Sequence, residues 1–223
     1  MPSTMSRMWW ALGLCAVLLV LTDPSMAAGQ EGSIEGTVTL EPPPPPRRTA
    51  NRYPGGAAPA DIEQKVPAIV YVVGRVSGSD PAPRRREMVQ QDTAFAPAAL
   101  VIPVGSTVAF PNADPFFHNV FSYSGSQRFD LGRYPQGESK SVTFDEPGVV
   151  GVFCEVHEKM RGVIVVTENP YHAFVDDDGS FRIEGLPPGE YRLAFWSADH
   201  DSAERTVTVS GGGTSTVEVE LRR

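Results

Sequence analysis

Three residues that bind soft metals lie at three-residue intervals in the segment FCEVHEKM, residues 153–160. They are Cys154, His157 and Met160. Thiolate and thioether groups select copper, whereas zinc sites combine cysteine, histidine and carboxylate and seldom include methionine. Two histidines and a cysteine in a trigonal plane, with a weak axial methionine, form a type 1 or blue copper site. The segment is therefore either an ordinary loop or the source of three copper ligands.

A second histidine is available upstream, in the segment NADPFFHNVFSYS. His118 stands where a strand would begin after the turn NADP, so two adjacent strand ends would bring it beside Cys154. The other histidines, His172 and His200, have no soft ligands near them and are interpreted as surface or turn residues. Four histidines are too few for a multicopper oxidase or a nitrite reductase. A CuA centre would need a second cysteine, and covalent haem would need Cys-x-x-Cys-His.

The N-terminus has the features of an export signal. Arg7 precedes the apolar run ALGLCAVLLVL, residues 11–21, and a small-residue segment follows. We expect residues 1–28 to be a signal peptide and the mature protein to be periplasmic or secreted. The alternative is an uncleaved membrane anchor, but the run is shorter than the ~20 residues that span a bilayer. Membrane contact is therefore expected only through the signal peptide before cleavage.

Cleavage would leave one cysteine. The chain has two, and the predicted signal peptide contains Cys15, so Cys154 would be the single thiol of the mature protein. An exported protein with a lone thiol is unusual, because that thiol is open to oxidation and mispairing. Cys154 is therefore either buried and inert or held by a ligand.

The charge of the chain excludes one class of partner. The formal net charge is −8 and the isoelectric point is near 5.0. Nucleic-acid binding needs a basic surface to neutralise phosphates, so we expect no nucleic-acid partner.

The elements that must position the candidate ligands are short strands. The chain has 21 glycines and 21 prolines, which separate β-branched and aromatic runs, and this pattern is typical of an all-β protein. Strands are predicted at residues 33–40, 68–74, 99–111 (with a turn at 104–106), 117–123, 139–145, 148–153 and 162–168. The connection after the first strand contains five consecutive prolines and is interpreted as a surface loop, with a docking segment as the alternative.

A second unit begins near residue 169. Residues 173–196 alternate apolar and polar side chains around two turns, and two more alternating strands flank a Gly-Gly-Gly turn. The hairpin DGSFRIEGLPPGEYRL resembles the carboxypeptidase regulatory-like, transthyretin-like domain, which implies a small β-sandwich and no activity. Asp176, Asp177 and Asp178 lack the closing glutamate of a calcium loop and are interpreted as a turn.

The segments PNADPFFHNV and FCEVHEKMRGVIVV resemble the two ligand loops of the cupredoxins, the plastocyanin and amicyanin group. The resemblance implies a Greek-key β-sandwich with one type 1 copper. Its ligands would be His118, Cys154 and His157, with Met160 axial, and Asn119 would help to join the two loops. The loop differs from the family in two ways. Val156 and Glu158 stand where amicyanin-type loops carry prolines, and the loop is more charged than the apolar docking patch usual in the family, because it contains Glu155, Glu158, Lys159 and Arg161.

These features predict four segments. Residues 1–28 are the signal peptide, and residues 29–87 supply N-terminal strands that partly complete the copper-binding sandwich. Residues 88–168 form the copper-binding domain, and residues 169–223 form the second sandwich.

The expected function is one-electron transfer, without enzymatic activity, between redox proteins such as a cytochrome c or a dehydrogenase. A copper-delivery protein is the first alternative. The second is a surface interaction protein whose C-terminal sandwich recognises the partner. The acidic charge would steer the chain towards a basic partner.

Overall fold

The computed structural model describes residues 30–44 and 64–223, and every regular element in these ranges is a β-strand. The all-β prediction is confirmed. The predicted signal peptide and most of the proline-rich connection lie outside the described residues. The strands are β1 (Gly32–Leu40), β2 (Ile69–Val72), β3 (Arg85–Glu87), β4 (Val89–Gln91), β5 (Ala94–Ala96), β6 (Ala99–Pro103), β7 (Ser106–Pro111), β8 (His118–Tyr123), β9 (Arg128–Tyr134), β10 (Ser139–Phe144), β11 (Gly148–Phe153), β12 (Arg161–Thr167), β13 (His172–Phe174), β14 (Ser180–Leu186), β15 (Gly189–Trp196), β16 (Ala203–Val209) and β17 (Thr214–Leu221).

Strands β3–β12 form one sandwich, called here the first sandwich. Its sheets have the orders β10-β7-β3 and β6-β12-β11-β8-β9, and β4 and β5 form a separate hairpin. Apolar side chains that alternate along the strands meet between the sheets, among them Phe110, Phe144, Val150 and Ile164, all fully buried. The predicted turn after β6 is present, with Gly105 at φ 80°. The core therefore fixes the positions of the strand ends that carry the candidate ligands.

The second sandwich consists of β1, β2 and β13–β17, in sheets of order β14-β1-β17 and β13-β2-β15-β16. The expectation that the N-terminal strands complete the first sandwich is therefore wrong. β1 runs parallel to β17 and antiparallel to β14, and β2 lies between β13 and β15. The physical reason is packing: Ile34 and Val38 of β1, and Val70 and Val72 of β2, are buried in the core of the second sandwich. Of residues 29–87, the first sandwich takes β3, which pairs with β7.

The first sandwich is consequently an insertion between two neighbouring strands of the second. The chain leaves the second sandwich after β2 and returns at β13, which pairs with β2. The side chain of Asn169 ties the two crossings together, because its amide donates to the carbonyls of Val72 (2.8 Å) and Gly74 (2.7 Å). Ile69 of the second sandwich packs with Ala99, Val163 and Val165 of the first in a buried cluster between the sheets.

Along residues 30–44 and 64–223 no helix is long and apolar enough to cross a membrane.

Candidate metal centre

Three of the four predicted ligands converge at one end of the first sandwich. The ligand atoms of His118, Cys154 and His157 all lie within 4.8 Å of one another. The sulfur of Cys154 is 3.6 Å from Nδ1 of His118 and 3.9 Å from Nδ1 of His157, and the two Nδ1 atoms are 3.2 Å apart. Residues up to 39 positions apart in the chain therefore place three donor atoms around one point.

These distances fit a metal ion in a trigonal plane. First-row ions bind imidazole nitrogen at about 2.0 Å and thiolate at about 2.3 Å. With such bonds, the three separations correspond to angles of about 105°, 115° and 130° at the ion. Their total is about 350°, close to the 360° of a plane, which is the arrangement of the equatorial His₂Cys set of a type 1 copper site. The donor atoms and their spacing thus fit copper.

His118 is oriented by a buried carboxylate that the sequence reasoning missed. The residue begins β8, is fully buried, and its Nε2 donates to Oδ2 of Asp114 at 2.7 Å. Donation from Nε2 leaves the lone pair of Nδ1 directed at Cys154 and His157. Metal-bound histidines commonly donate their second nitrogen to a carboxylate, so an aspartate four residues before the ligand in NADPFFH was the available signal.

Asp114 is itself held by backbone donors. Its carboxylate accepts hydrogen bonds from the amides of Asp92 (2.7 Å) and Thr93 (3.0 Å) in the turn between β4 and β5. Both turn residues have positive φ, 55° and 59°, which suits a two-residue hairpin turn but is unfavourable for threonine. Burial acts to raise the pKa of Asp114, but the hydrogen bonds from Thr93, His118 and Asp92 prevail and lower it below its ordinary value. The group beside His118 is therefore a carboxylate.

The ligand loop from Cys154 to Met160 is closed by its own backbone. The amide of Cys154 donates to the carbonyl of Met160 at 3.2 Å, and the amide of Met160 donates to the carbonyl of His157 at 2.9 Å. Met160 is buried in the same apolar cluster as Cys154. Asn119 joins the two ligand-bearing segments, because its Oδ1 accepts a hydrogen bond from the amide of Glu155 at 2.7 Å.

His157 is the most exposed of the three candidate ligands in this cluster, and an exposed phenylalanine lies beside it. It is partly exposed, while His118 and Cys154 are buried. The ring of Phe116 lies 5.4 Å from that of His157, and Phe116, Phe117 and Val156 are 41%, 56% and 42% exposed. The charged loop predicts a partner surface unlike the apolar patch of the family. Phe116, from the His118 segment, adds one exposed apolar ring beside His157. Burial and then the neighbouring His118 lower the pKa of His157, which keeps its imidazole neutral and able to bind a metal.

The other two histidines lie in the second sandwich, away from this centre. Nδ1 of His172 donates to the carbonyl of Pro170 at 2.9 Å, and Nε2 of His200 donates to the carbonyl of Glu41 at 3.0 Å.

Two family models match the chain. Residues 85–167 match copper binding proteins of the plastocyanin/azurin family, and residues 160–222 match the carboxypeptidase regulatory-like domain. The first range begins with β3 and ends with β12, so it coincides with the first sandwich. The second range covers β12 as well as β13–β17, and β1 and β2 complete the second sandwich from outside the matched residues.

Individual proteins resemble the first sandwich as well. A plastocyanin from Scenedesmus fuscus is 34% identical over 83 residues, which is 32% of this chain and 85% of that protein. A purple cupredoxin from Nitrosopumilus maritimus is 26% identical, with 37% of this chain and 99% of that chain covered and a TM-score of 0.34. The M98A mutant of amicyanin with Cu(I) is 25% identical over 37% of this chain and 81% of that chain, with a TM-score of 0.35. On the plastocyanin relationship and the convergent donor atoms, this chain belongs to the plastocyanin/azurin family of copper-binding proteins, with copper as its cofactor.

Proposed function

We propose that the protein is an exported type 1 copper protein that carries single electrons between redox proteins. His118, Cys154 and His157 are its equatorial ligands, and Met160 is the axial ligand. The observation that carries the proposal is the convergence of two imidazole nitrogens and one cysteine sulfur at mutual distances of 3.2–3.9 Å. The export signal of the sequence supports a periplasmic or secreted location.

Electron transfer, rather than catalysis, is the use that such a site supports. Copper, when bound, supplies a one-electron couple between Cu(II) and Cu(I). Hydrolysis and oxygen activation need an open coordination position, and four protein ligands leave none. The buried carboxylate on His118 and the Asn119 contact to the second ligand segment hold the donor atoms in place. A rigid donor set rearranges little when the charge of the ion changes.

His157 is the proposed point of electron entry and exit. It is the ligand nearest to the surface, and Phe116, whose exposed ring lies 5.4 Å from the ring of His157, provides an apolar patch beside it. A redox partner that buries this patch would approach the site closely. The net charge of −8 would steer a basic partner towards the protein, and the association rate would then fall as salt is added.

Reconstitution of the apoprotein with Cu(II) tests the copper assignment. We expect one equivalent of copper, intense blue absorption from the thiolate–copper charge transfer, and loss of this absorption in Cys154→Ser. His172→Gln is the matched control, because His172 is a histidine outside the site and should leave the spectrum unchanged. A colourless Cu(II) complex of the wild-type protein would refute the type 1 assignment.

Stopped-flow mixing with a soluble cytochrome c tests the carrier function. A carrier exchanges electrons rapidly and retains its copper, which dialysis against a copper chelator of moderate affinity would check. Loss of copper to an acceptor without rapid electron exchange would contradict the proposal and favour copper delivery instead.

A further inference from the structure

The axial end of the ligand loop is attached to the second sandwich. Arg161 follows Met160 directly and begins β12. Its guanidinium reaches Asp199, in the turn between β15 and β16, with Nη1 donating to Oδ1 and Nη2 donating to Oδ2, both at 2.8 Å. Two parallel hydrogen bonds between a planar guanidinium and a carboxylate fix orientation as well as distance. The Arg161 side chain is 22% exposed, so solvent weakens this ion pair less than it would weaken a fully exposed one.

Asp199 offers a firm attachment point, because its turn is held by the ends of two other strands. The amide of Asp201 donates to the carbonyl of Arg222 at 2.7 Å, just after β17. Nε2 of His200 donates to the carbonyl of Glu41 at 3.0 Å, just after β1. The hydrogen bonds from Arg161 lower the pKa of Asp199, so the carboxylate is charged at neutral pH. The turn therefore cannot shift without breaking contacts inside the second sandwich.

Arg161 passes this constraint to Met160 through the backbone. Arg161 pairs with Phe153, the residue before Cys154, and the carbonyl of Met160 accepts the amide of Cys154. His118 is oriented by Asp114 within the first sandwich, but Met160 lies next to a residue that the other sandwich holds. Side chains further along β12, Val163 and Val165, pack against Ile69 of the second sandwich, so β12 is anchored to it over several residues.

We propose that Arg161 and Asp199 are positioning residues for the axial ligand, so that the second sandwich helps to set the reduction potential of the copper centre. This inference rests on the proposed function. The axial ligand tunes the potential of a type 1 site. A Met160 that is held less firmly donates less electron density to the ion, which favours Cu(I) and raises the potential.

The variants Arg161→Lys and Asp199→Asn separate positioning from charge. Lysine keeps the positive charge but lacks the planar fork, so Arg161→Lys loosens the attachment at constant charge. Asp199→Asn removes a negative charge and weakens the same attachment. If the pair positions Met160, both variants raise the potential and alter the visible and EPR spectra. The expected change is about tenfold in the Cu(II)/Cu(I) ratio at fixed ambient potential, or about 59 mV for one electron.

Arg192→Lys is the matched control. Arg192 pairs with Glu204 at 3.5 Å between β15 and β16, and both side chains are more than half exposed. The same chemical change at an ion pair that lies wholly within the second sandwich should leave the potential and the spectra unchanged. An unchanged potential and spectrum in Arg161→Lys, with a rise confined to Asp199→Asn, would show that the pair acts through charge alone and would overturn the inference.

Amide hydrogen exchange of the apoprotein supplies a second readout that needs no copper. The amide of Met160 donates within the ligand loop, so we expect faster exchange there in Arg161→Lys and wild-type exchange in Arg192→Lys. Equal protection in the wild type and Arg161→Lys would contradict the positioning role. A wild-type protein that binds Cu(II) without blue colour would defeat the proposed function, whereas a blue wild type with indifferent variants would defeat only this inference.

Discussion

Replacement of Asp114 by asparagine isolates the charge next to His118. Asparagine has nearly the shape of aspartate, and its side-chain oxygen can accept the hydrogen bonds from Nε2 of His118 and from the amide of Thr93. The change therefore keeps the orientation of the imidazole and removes one buried negative charge. A negative charge near the ion favours Cu(II), so its removal favours Cu(I), and the reduction potential of Asp114→Asn should rise.

The size of the rise follows from the distance across the ring. The carboxylate oxygen lies 2.7 Å from Nε2 of His118, and the ion would lie about 2.0 Å beyond Nδ1. The charge and the ion are then about 6.5 Å apart. At an effective dielectric constant of about 20, their interaction is about 2.5 kcal/mol. Since 1.36 kcal/mol corresponds to about 59 mV for one electron, the expected rise is about 110 mV.

Protein-film or spectroelectrochemical titration of the reconstituted protein measures this potential. Asp130→Asn is the control. Asp130 lies on β9 of the same sandwich, and its Oδ1 accepts a hydrogen bond from the amide of Gly132. Its carboxylate is exposed to solvent, where salt screens the charge. A rise in Asp114→Asn no larger than in Asp130→Asn, or a fall in potential, would refute the view that the Asp114 carboxylate tunes the centre.

The same variant has a separate effect on folding. The second side-chain atom of asparagine is an amide nitrogen, which would face the backbone amide of Asp92, a second donor. One buried donor then loses its acceptor, at a cost of about 1–3 kcal/mol. Denaturant unfolding of the apoprotein should detect this loss, and Asp130→Asn should not show it.

Three further predictions concern the rest of the molecule. Asn169→Ala removes the buried side-chain amide that donates to the carbonyls of Val72 and Gly74, so the free energy of unfolding measured by urea titration should fall by about 1–3 kcal/mol. An unchanged unfolding midpoint would contradict a role for Asn169 in joining the two sandwiches. Burial lowers the pKa of His172 in the folded state, so below about pH 6.5 the unfolded chain binds more protons and stability falls as the pH falls. His172→Gln should flatten this dependence in thermal unfolding below about pH 6.5, and an equal slope would refute it. Copper at 100 times its dissociation constant should stabilise the wild-type fold by about 2.7 kcal/mol and should stabilise Cys154→Ser much less, as measured by calorimetry. Equal stabilisation of the two proteins would show that copper binds at another site.

The insertion topology changes how the second sandwich can be studied. Truncation after residue 168 would appear from the sequence to delete an autonomous C-terminal unit. In the structure it would leave β1 and β2 without the strands that pair with them and would expose Val70 and Val72, which are buried in the core of the second sandwich. A truncated protein would thus lose more than a recognition module, and point variants such as Arg161→Lys are the better probes.

The local chemistry of the centre was readable from the sequence. Cys154, His157 and Met160 are close together in the chain, and their residue types alone indicate a soft metal. The strand before the loop and the strand after it follow from short β-branched runs, so β11 and β12 were predicted within one residue of their ends. His118 could be proposed because it is the one remaining histidine at a predicted strand end. Ligand spacing and strand alternation are local patterns that extend over a few residues, so they can be recognised in the sequence.

The long-range pairings were decided only by the tertiary structure. β1 alternates apolar residues as either sandwich would require, so its pattern could not tell which core it joins; parallel pairing with β17, about 180 residues away, settles that question. The same holds for Asp114, whose carboxylate is stabilised by backbone amides of the turn between β4 and β5. It also holds for Asp199, which pairs with Arg161 at a separation of 38 residues in the chain. Alternation of apolar and polar residues indicates that one side of a strand is buried. It does not indicate which other strands cover that side. The candidate ligands therefore lie in two short segments of the sequence, whereas the residues that orient them are brought into place only by the tertiary structure.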